Sequence, residues 1–134
     1  MIIQLLAATL LSSASGNPAP VDEGFKLIHV ADLAQMLKDQ SQPVHVLDAN
    51  NEEFRAKEGV IPGATLLPES HDYNVAKALP QDKASTLVFY CANAKCMASH
   101  AAAERAVKAG YSNVDVLADG LQGWKQAGQP VAKR

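Results

Sequence analysis

A chain of 134 residues is long enough for one domain with its own core. A net charge of -2 with 19% charged residues gives an ordinary polar surface, without the basic stripe that neutralises phosphates, and so argues against nucleic acid as a partner. Alanine supplies much of the 48% hydrophobic fraction and aromatics only 5%, which suits closely packed helices more than a large aromatic binding platform.

The first residues read as a leader rather than as part of the fold. Ile2, Ile3, Leu5, Leu6, Ala7, Ala8, Leu10 and Leu11 form an apolar run of signal-peptide length, and Ser13-Ala14-Ser15-Gly16 offers small residues for cleavage. Residues 1–15 are therefore read as a signal peptide, 16–24 as a proline-containing lead-in and 25–134 as the mature domain. The run is too short to span a bilayer and no cysteine follows it to carry a lipid, so no stable membrane insertion of the mature chain is expected. The expected location is outside the cytoplasm, in the periplasm. No Lys or Arg precedes the run, which leaves an alternative: an amphipathic or disordered start on a chain that stays cytoplasmic.

Beyond the leader, strand-like and helix-like segments alternate. Phe25-Lys26-Leu27-Ile28 reads as a short strand, and Leu33, Met36 and Leu37 recur at i, i+3 and i+4 as one buried helix face. Val44-His45-Val46-Leu47 is a second strand. Asn50 with Glu53 resembles a capping box that opens a short helix ending by Gly59. Pro62-Gly63 turns the chain into a third strand, Ala64 to Leu67, and Tyr73 to Leu79 holds a helical turn or two before Pro80. Thr86 to Tyr90 is continuously apolar or β-branched, as expected of a strand covered on both faces. A helix from Ala98 to Ala109 stops at Gly110 in a capping position, Val114 to Leu117 forms a further strand, and Leu121 to Ala127 a last helix closed by Gly128 and Pro130. Strands separated by helices require crossovers, hence an α/β domain with a mainly parallel sheet and helices on both faces.

Both cysteines fall between the strand at 86–90 and the helix that follows. Cys91 thereby stands at the carboxyl end of a strand, where parallel sheets bind ligands, and faces a helix N-terminus whose free N–H groups favour an anion. A thiolate is such an anion, and lowering its pKa makes the thiol a nucleophile near neutral pH. No second cysteine pair or histidine pair has ligand spacing, so no metal and no cofactor is expected.

Several segments together resemble the rhodanese-like sulfurtransferase family. The front half is carried by Val46-Leu47-Asp48-Ala49, Glu53-Phe54 and Gly59-Val60-Ile61-Pro62-Gly63-Ala64. The rear half is carried by Tyr90-Cys91, Gly110-Tyr111-Ser112-Asn113-Val114 and Gly120-Leu121-Gln122-Gly123-Trp124 through Pro130. The resemblance spans Phe25 to Val131 and implies a five-stranded parallel α/β domain. In it Cys91 would accept a sulfane sulfur from a donor such as thiosulfate, hold it as a persulfide and pass it to a thiol, cyanide or protein acceptor. Backbone N–H groups of Ala92, Asn93, Ala94, Lys95, Cys96, Met97 and Ala98 would curl around the sulfur and stabilise its charge. Lys95 is the only cation within the loop, placed to attract an anionic donor or to remain simply solvated. Asp48, ending a strand on the same side, either orients the loop or caps the turn that follows. Trp124 is expected in the core with its indole N–H on a backbone carbonyl.

Departures from the family pattern define this member. Cys96 stands where many members carry an arginine, Asn50 replaces the arginine after Leu-Asp-Val, Val60 replaces a histidine, and the loop is about two residues longer than in the commonest members. Related phosphatases and arsenate reductases clamp an oxyanion with an arginine six residues after the cysteine; here that residue is Met97, which ranks phosphoryl chemistry below sulfur transfer. In an exported chain two cysteines suggest a disulfide, and the spacing of Cys91 and Cys96 permits one. Such a bridge is either structural or the product of a resolving attack by Cys96 on a Cys91 persulfide. Two functions stay open on the residues alone: a sulfurtransferase working through Cys91, or a non-catalytic rhodanese-like binding or redox-sensing module with a Cys91–Cys96 disulfide.

Overall fold

A computed structural model describes residues 24–134; the leader at 1–15 and the lead-in up to residue 23 lie outside the described residues. Five strands, β1 (Lys26–Ile28), β2 (Val44–Asp48), β3 (Thr65–Leu66), β4 (Thr86–Tyr90) and β5 (Asn113–Leu117), form one sheet in the order β1-β5-β4-β2-β3. Every pairing is parallel. Five helices connect and follow the strands: α1 (Val30–Lys38), α2 (Glu52–Glu58), α3 (Val75–Ala78), α4 (Ala98–Lys108) and α5 (Gly120–Gln126).

The sheet buries both faces, and the alternation along β4 shows how. Leu87, Phe89 and Cys91 join a core with Ala102, Ala103 and Ala106 of α4, while Val88 and Tyr90 join the opposite core with Leu33 of α1 and Leu121 and Trp124 of α5. Small alanines let α4 lie close against the sheet. Trp124 is buried and its Nε1–H donates to the Pro130 carbonyl at 2.8 Å, as the sequence suggests.

Local differences from the sequence reading have physical reasons. Phe25 precedes β1 and sets its ring edge-on to His100, 5.4 Å between centroids. In α1 Leu33 is fully buried but Leu37 is 39% exposed, because only Leu33, with Ala34 and Met36 packed beside it, is turned into the core. The third strand shrinks to Thr65–Leu66, an edge that pairs only with β2. Asn51, not Asn50, caps α2, its side chain accepting from the Phe54 N–H at 2.8 Å.

The strand order sets the location of the site. After β2 the chain moves outward to β3, whereas after β4 it moves the other way to β5. The carboxyl ends of the adjacent strands β2 and β4 therefore flank the point where the winding reverses, the place where open α/β sheets leave a crevice.

Candidate active site

Cys91 is the first residue beyond β4 and is only 1% exposed. Its sulfur is joined in a disulfide to Cys96, with the two Cα atoms 6.3 Å apart. The loop folds back to make this possible. Asn93 is the pivot: its side-chain oxygen accepts from the Lys95 N–H at 2.9 Å and its carbonyl accepts from the Cys96 N–H at 3.1 Å.

On its other side the Cys91 sulfur meets α4. Met97 precedes that helix without offering a side-chain cap, so the first-turn N–H groups need other acceptors. The Ser99 N–H points at Cys91 Sγ from 3.4 Å, and the Ser99 hydroxyl lies 3.2 Å from the same atom. In the bridged form the sulfur has no proton, so both contacts are donated by Ser99. Ser99 is itself buried, at 2% exposure. The expected approach of a helix N-terminus to the sulfur is thus present, but the donor is Ser99, a residue the sequence reading did not single out. The available signal was a lone hydroxyl in the alanine-rich run from Ala98 to Ala109.

The loop backbone is held from outside by α5. Leu121 N–H donates to the Cys91 carbonyl at 2.8 Å and Gln122 N–H to the Ala92 carbonyl at 2.9 Å. Gly120 makes that approach possible: its φ is +66°, and a Cβ there would lie 2.5 Å from the Asn93 nitrogen and 2.6 Å from the Ala92 carbonyl carbon.

The remaining loop residues are arranged differently from a ring of amides around the sulfur. In the bridged loop the Lys95 and Cys96 amides turn to Asn93, as described, and Ala92, Asn93 and Ala98 lie half-buried while Ala94 is exposed. Lys95 is exposed, and its ammonium has no partner among the described residues. Met97 is 61% exposed and, with His71, His100, Ala101 and Glu104, lines a groove of about 250 Å³ beside the loop. A larger cavity of about 890 Å³ opens at the amino ends of β4 and β5, at the far end of the sheet, and has no part in this loop.

Asp48 makes no hydrogen bond to the loop. It is fully buried at the end of β2, where Oδ1 accepts from the Asn50 N–H at 2.7 Å and from Arg55 Nε at 3.1 Å, and Oδ2 accepts from the Tyr90 hydroxyl. Arg55 Nη2 also donates to the carbonyls of Asp48 and Leu67, at 2.9 and 2.7 Å. The Tyr90 oxygen in turn accepts from the Ile61 N–H at 3.0 Å. Burial, and then the adjacent Asp48 carboxylate, push the Tyr90 hydroxyl well above the ordinary phenol range, so it stays a neutral donor. Asp48 thus reaches Cys91 only indirectly, by fixing Tyr90 one residue before it. The Asn50 side-chain nitrogen, also buried, has no hydrogen-bond partner among the described residues.

Among the described residues no group of three or more His, Cys, Asp or Glu side chains is placed to hold a metal ion, and no helix is long and apolar enough to cross a membrane. What the arrangement can do is thiol chemistry: a buried sulfur with two donors on one side and an exchangeable S–S bond on the other.

Comparison with known proteins bears on the same region. A model of the Rhodanese-like domain family matches residues 29–127. No curated protein matches the chain. Among solved structures, a rhodanese-related protein of Thermoplasma volcanium is 28% identical with a TM-score of 0.65, over 82% of this chain and 100% of that one. A protein of Bacillus halodurans is 23% identical with a TM-score of 0.70, over 82% of this chain and 77% of that one. A Rhodopseudomonas palustris protein of unknown function, called a possible tyrosine phosphatase, is 24% identical with a TM-score of 0.67, over 87% and 99% of the two chains. At such identities the last two likenesses concern the fold alone.

Proposed function

The chain belongs to the rhodanese-like domain family, and on that premise we propose that it is a sulfurtransferase that carries a sulfane sulfur on Cys91. The observation that carries this reading is the pair of Ser99 donors on Cys91 Sγ at the start of α4. Once the bridge is reduced, the same N–H and hydroxyl stabilise a thiolate relative to a thiol. That thiolate attacks the outer sulfur of a donor such as thiosulfate; the donor's S–S bond breaks and sulfite leaves with the electron pair. The persulfide then yields its outer sulfur to a thiol, cyanide or protein nucleophile, and Cys91 leaves as the thiolate that Ser99 supports. Two half-reactions joined by a covalent intermediate imply ping-pong kinetics.

The loop offers no guanidinium to an oxyanion, and its one cation, Lys95, is exposed. Donor recognition on this reading is therefore weak and salt-sensitive. The same absence, with Met97 where an arginine would clamp phosphate, weighs against phosphatase chemistry. A disulfide in the loop favours an exported, periplasmic setting, reached through the leader at residues 1–15. It also favours a second reading, a redox-sensing module that never turns over.

The test is mass spectrometry of the reduced, desalted Cys96→Ser variant, in which no neighbouring thiol can discharge Cys91, after thiosulfate or polysulfide. Cys91 should gain one sulfur atom that cyanide removes, and Cys91→Ser should gain none. If neither donor loads Cys91, sulfur transfer is wrong and the redox module stands.

A further inference from the structure

We infer that Cys96 resolves the Cys91 persulfide, so that the protein reduces sulfane sulfur to sulfide at the expense of a dithiol; this rests on sulfur loading at Cys91. The bridge places Cys96 Sγ within bonding reach of Cys91 Sγ itself, which is the inner sulfur of a persulfide on that residue. A Cys96 thiolate attacking there forms the Cys91–Cys96 disulfide, breaks the bond to the outer sulfur and expels it as hydrosulfide. The two thiols are oxidised, and the sulfane sulfur receives the two electrons. No oxidant is needed, because the sulfane sulfur is the oxidant.

The bridged loop then has a built-in polarity for reopening. Cys91 is 1% exposed and holds both Ser99 contacts, whereas Cys96 is half-buried between exposed Lys95 and Met97. An incoming thiolate reaches Cys96 Sγ, forms a mixed disulfide there and displaces Cys91 as the leaving thiolate, which the Ser99 donors stabilise. The second thiol of a dithiol then releases Cys96. Over the cycle, thiosulfate and a dithiol become sulfite, hydrogen sulfide and a disulfide, with atoms and electrons balanced. The natural reductant is thus a dithiol small enough, or carried on a surface prominent enough, to reach Cys96 beside Met97.

The experiment uses the full chain, reduced, desalted and kept anaerobic, with thiosulfate as the probe and Cys96→Ser and Cys96→Ala beside the wild type. Wild type should release one sulfide per chain in a single burst and end as the bridged protein, with continuous release once dithiothreitol is added. Both Cys96 variants should retain the extra sulfur on Cys91 and release sulfide only after a thiol is added. A stable persulfide on wild type with Cys96 still a free thiol overturns the inference, as does sulfur found on Cys96 or a bridge formed without sulfide. If the Cys96 variants gain no sulfur at all, sulfur loading itself has failed and the inference falls with it. A brief exposure of the bridged protein to glutathione, quenched in acid, should place the mixed disulfide on Cys96; an adduct on Cys91 overturns the polarity.

Discussion

At the carboxyl end of β2 the chain buries an aspartate with an arginine; one strand over, at the end of β4, it buries a cysteine. The strands are paired in register, Asp48 opposite Tyr90, so the two ends differ in chemistry rather than in place. Asp48 is held by donors on every oxygen: the Asn50 N–H and Arg55 Nε on one carboxylate oxygen, the Tyr90 hydroxyl on the other, and Arg55 Nη2 and the Leu67 N–H on its carbonyl. Such a network has nothing left to give a substrate and makes the strand end rigid. The Cys91 sulfur has two donors from one residue and a covalent bond that can be remade. The difference teaches that a buried polar group is part of the chemistry when its partners can be exchanged and part of the frame when they cannot.

The most severe way to test that division is Arg55→Ala. It strips the guanidinium from a fully buried carboxylate and from the Asp48 and Leu67 carbonyls, and breaking a buried ion pair in this way costs about 3–5 kcal/mol. Urea denaturation should show that loss, while in the Cys96→Ser background the fraction of folded, reduced protein that takes up sulfur on Cys91 stays unchanged. A folded variant that has lost uptake would mean that the two strand ends act as one site.

Gly120→Ala should strike both. Its φ of +66° and a Cβ only 2.5 Å from the Asn93 nitrogen force the loop or α5 to shift, at roughly 1–3 kcal/mol. The expected pattern is a lower denaturation midpoint together with slower sulfur uptake, because Leu121 and Gln122 no longer hold the Cys91 and Ala92 carbonyls in place.

Ser99→Ala separates chemistry from frame in the other direction. It keeps the backbone N–H and removes one hydroxyl, so stability should fall by about 1 kcal/mol. The thiolate loses a donor, so the pH midpoint for alkylation of Cys91 in the reduced Cys96→Ser background should move upward. An unmoved midpoint would show that the Ser99 hydroxyl only fills space.

Much of this was legible in the sequence because it depends on local pattern. The continuous apolar run from Thr86 to Tyr90 marks a central strand, and an abrupt change to Cys91 and small residues marks its exit loop. The family resemblance added the sheet of five strands. What stayed hidden depends on pairing across the sheet. Arg55 looks like a solvated helix residue until Asp48 and Leu67 converge on it, and Ser99 looks like one more small residue until the loop lays the Cys91 sulfur over it. Asn50 shows the same limit at short range: one residue of register along the turn moves the cap to Asn51 and leaves Asn50 with its backbone N–H on the Asp48 carboxylate.

The gentlest probe compares Asp48 with the other buried aspartate. Asp115 in β5 is 7% exposed and has no side-chain hydrogen-bond partner among the described residues. Burial raises its pKa above the ordinary carboxylate value; Lys26, its register neighbour on β1, works against that and Asp32 of α1 adds to it. The folded protein therefore binds the Asp115 proton more tightly than the unfolded chain does. Its contribution is fully present below the ordinary carboxylate pKa and is lost as pH rises through the folded-state value, because the slope of stability with pH follows the protons bound unfolded minus those bound folded. Asp115→Asn abolishes that loss. The variant should gain about 0.5–1 kcal/mol over wild type at neutral pH, and the gain should shrink as pH falls towards the ordinary carboxylate pKa. Denaturation midpoints at neutral and acid pH measure it. A variant less stable than wild type at neutral pH would mean that the Asp115 carboxylate is supported by Lys26 as Asp48 is by Arg55.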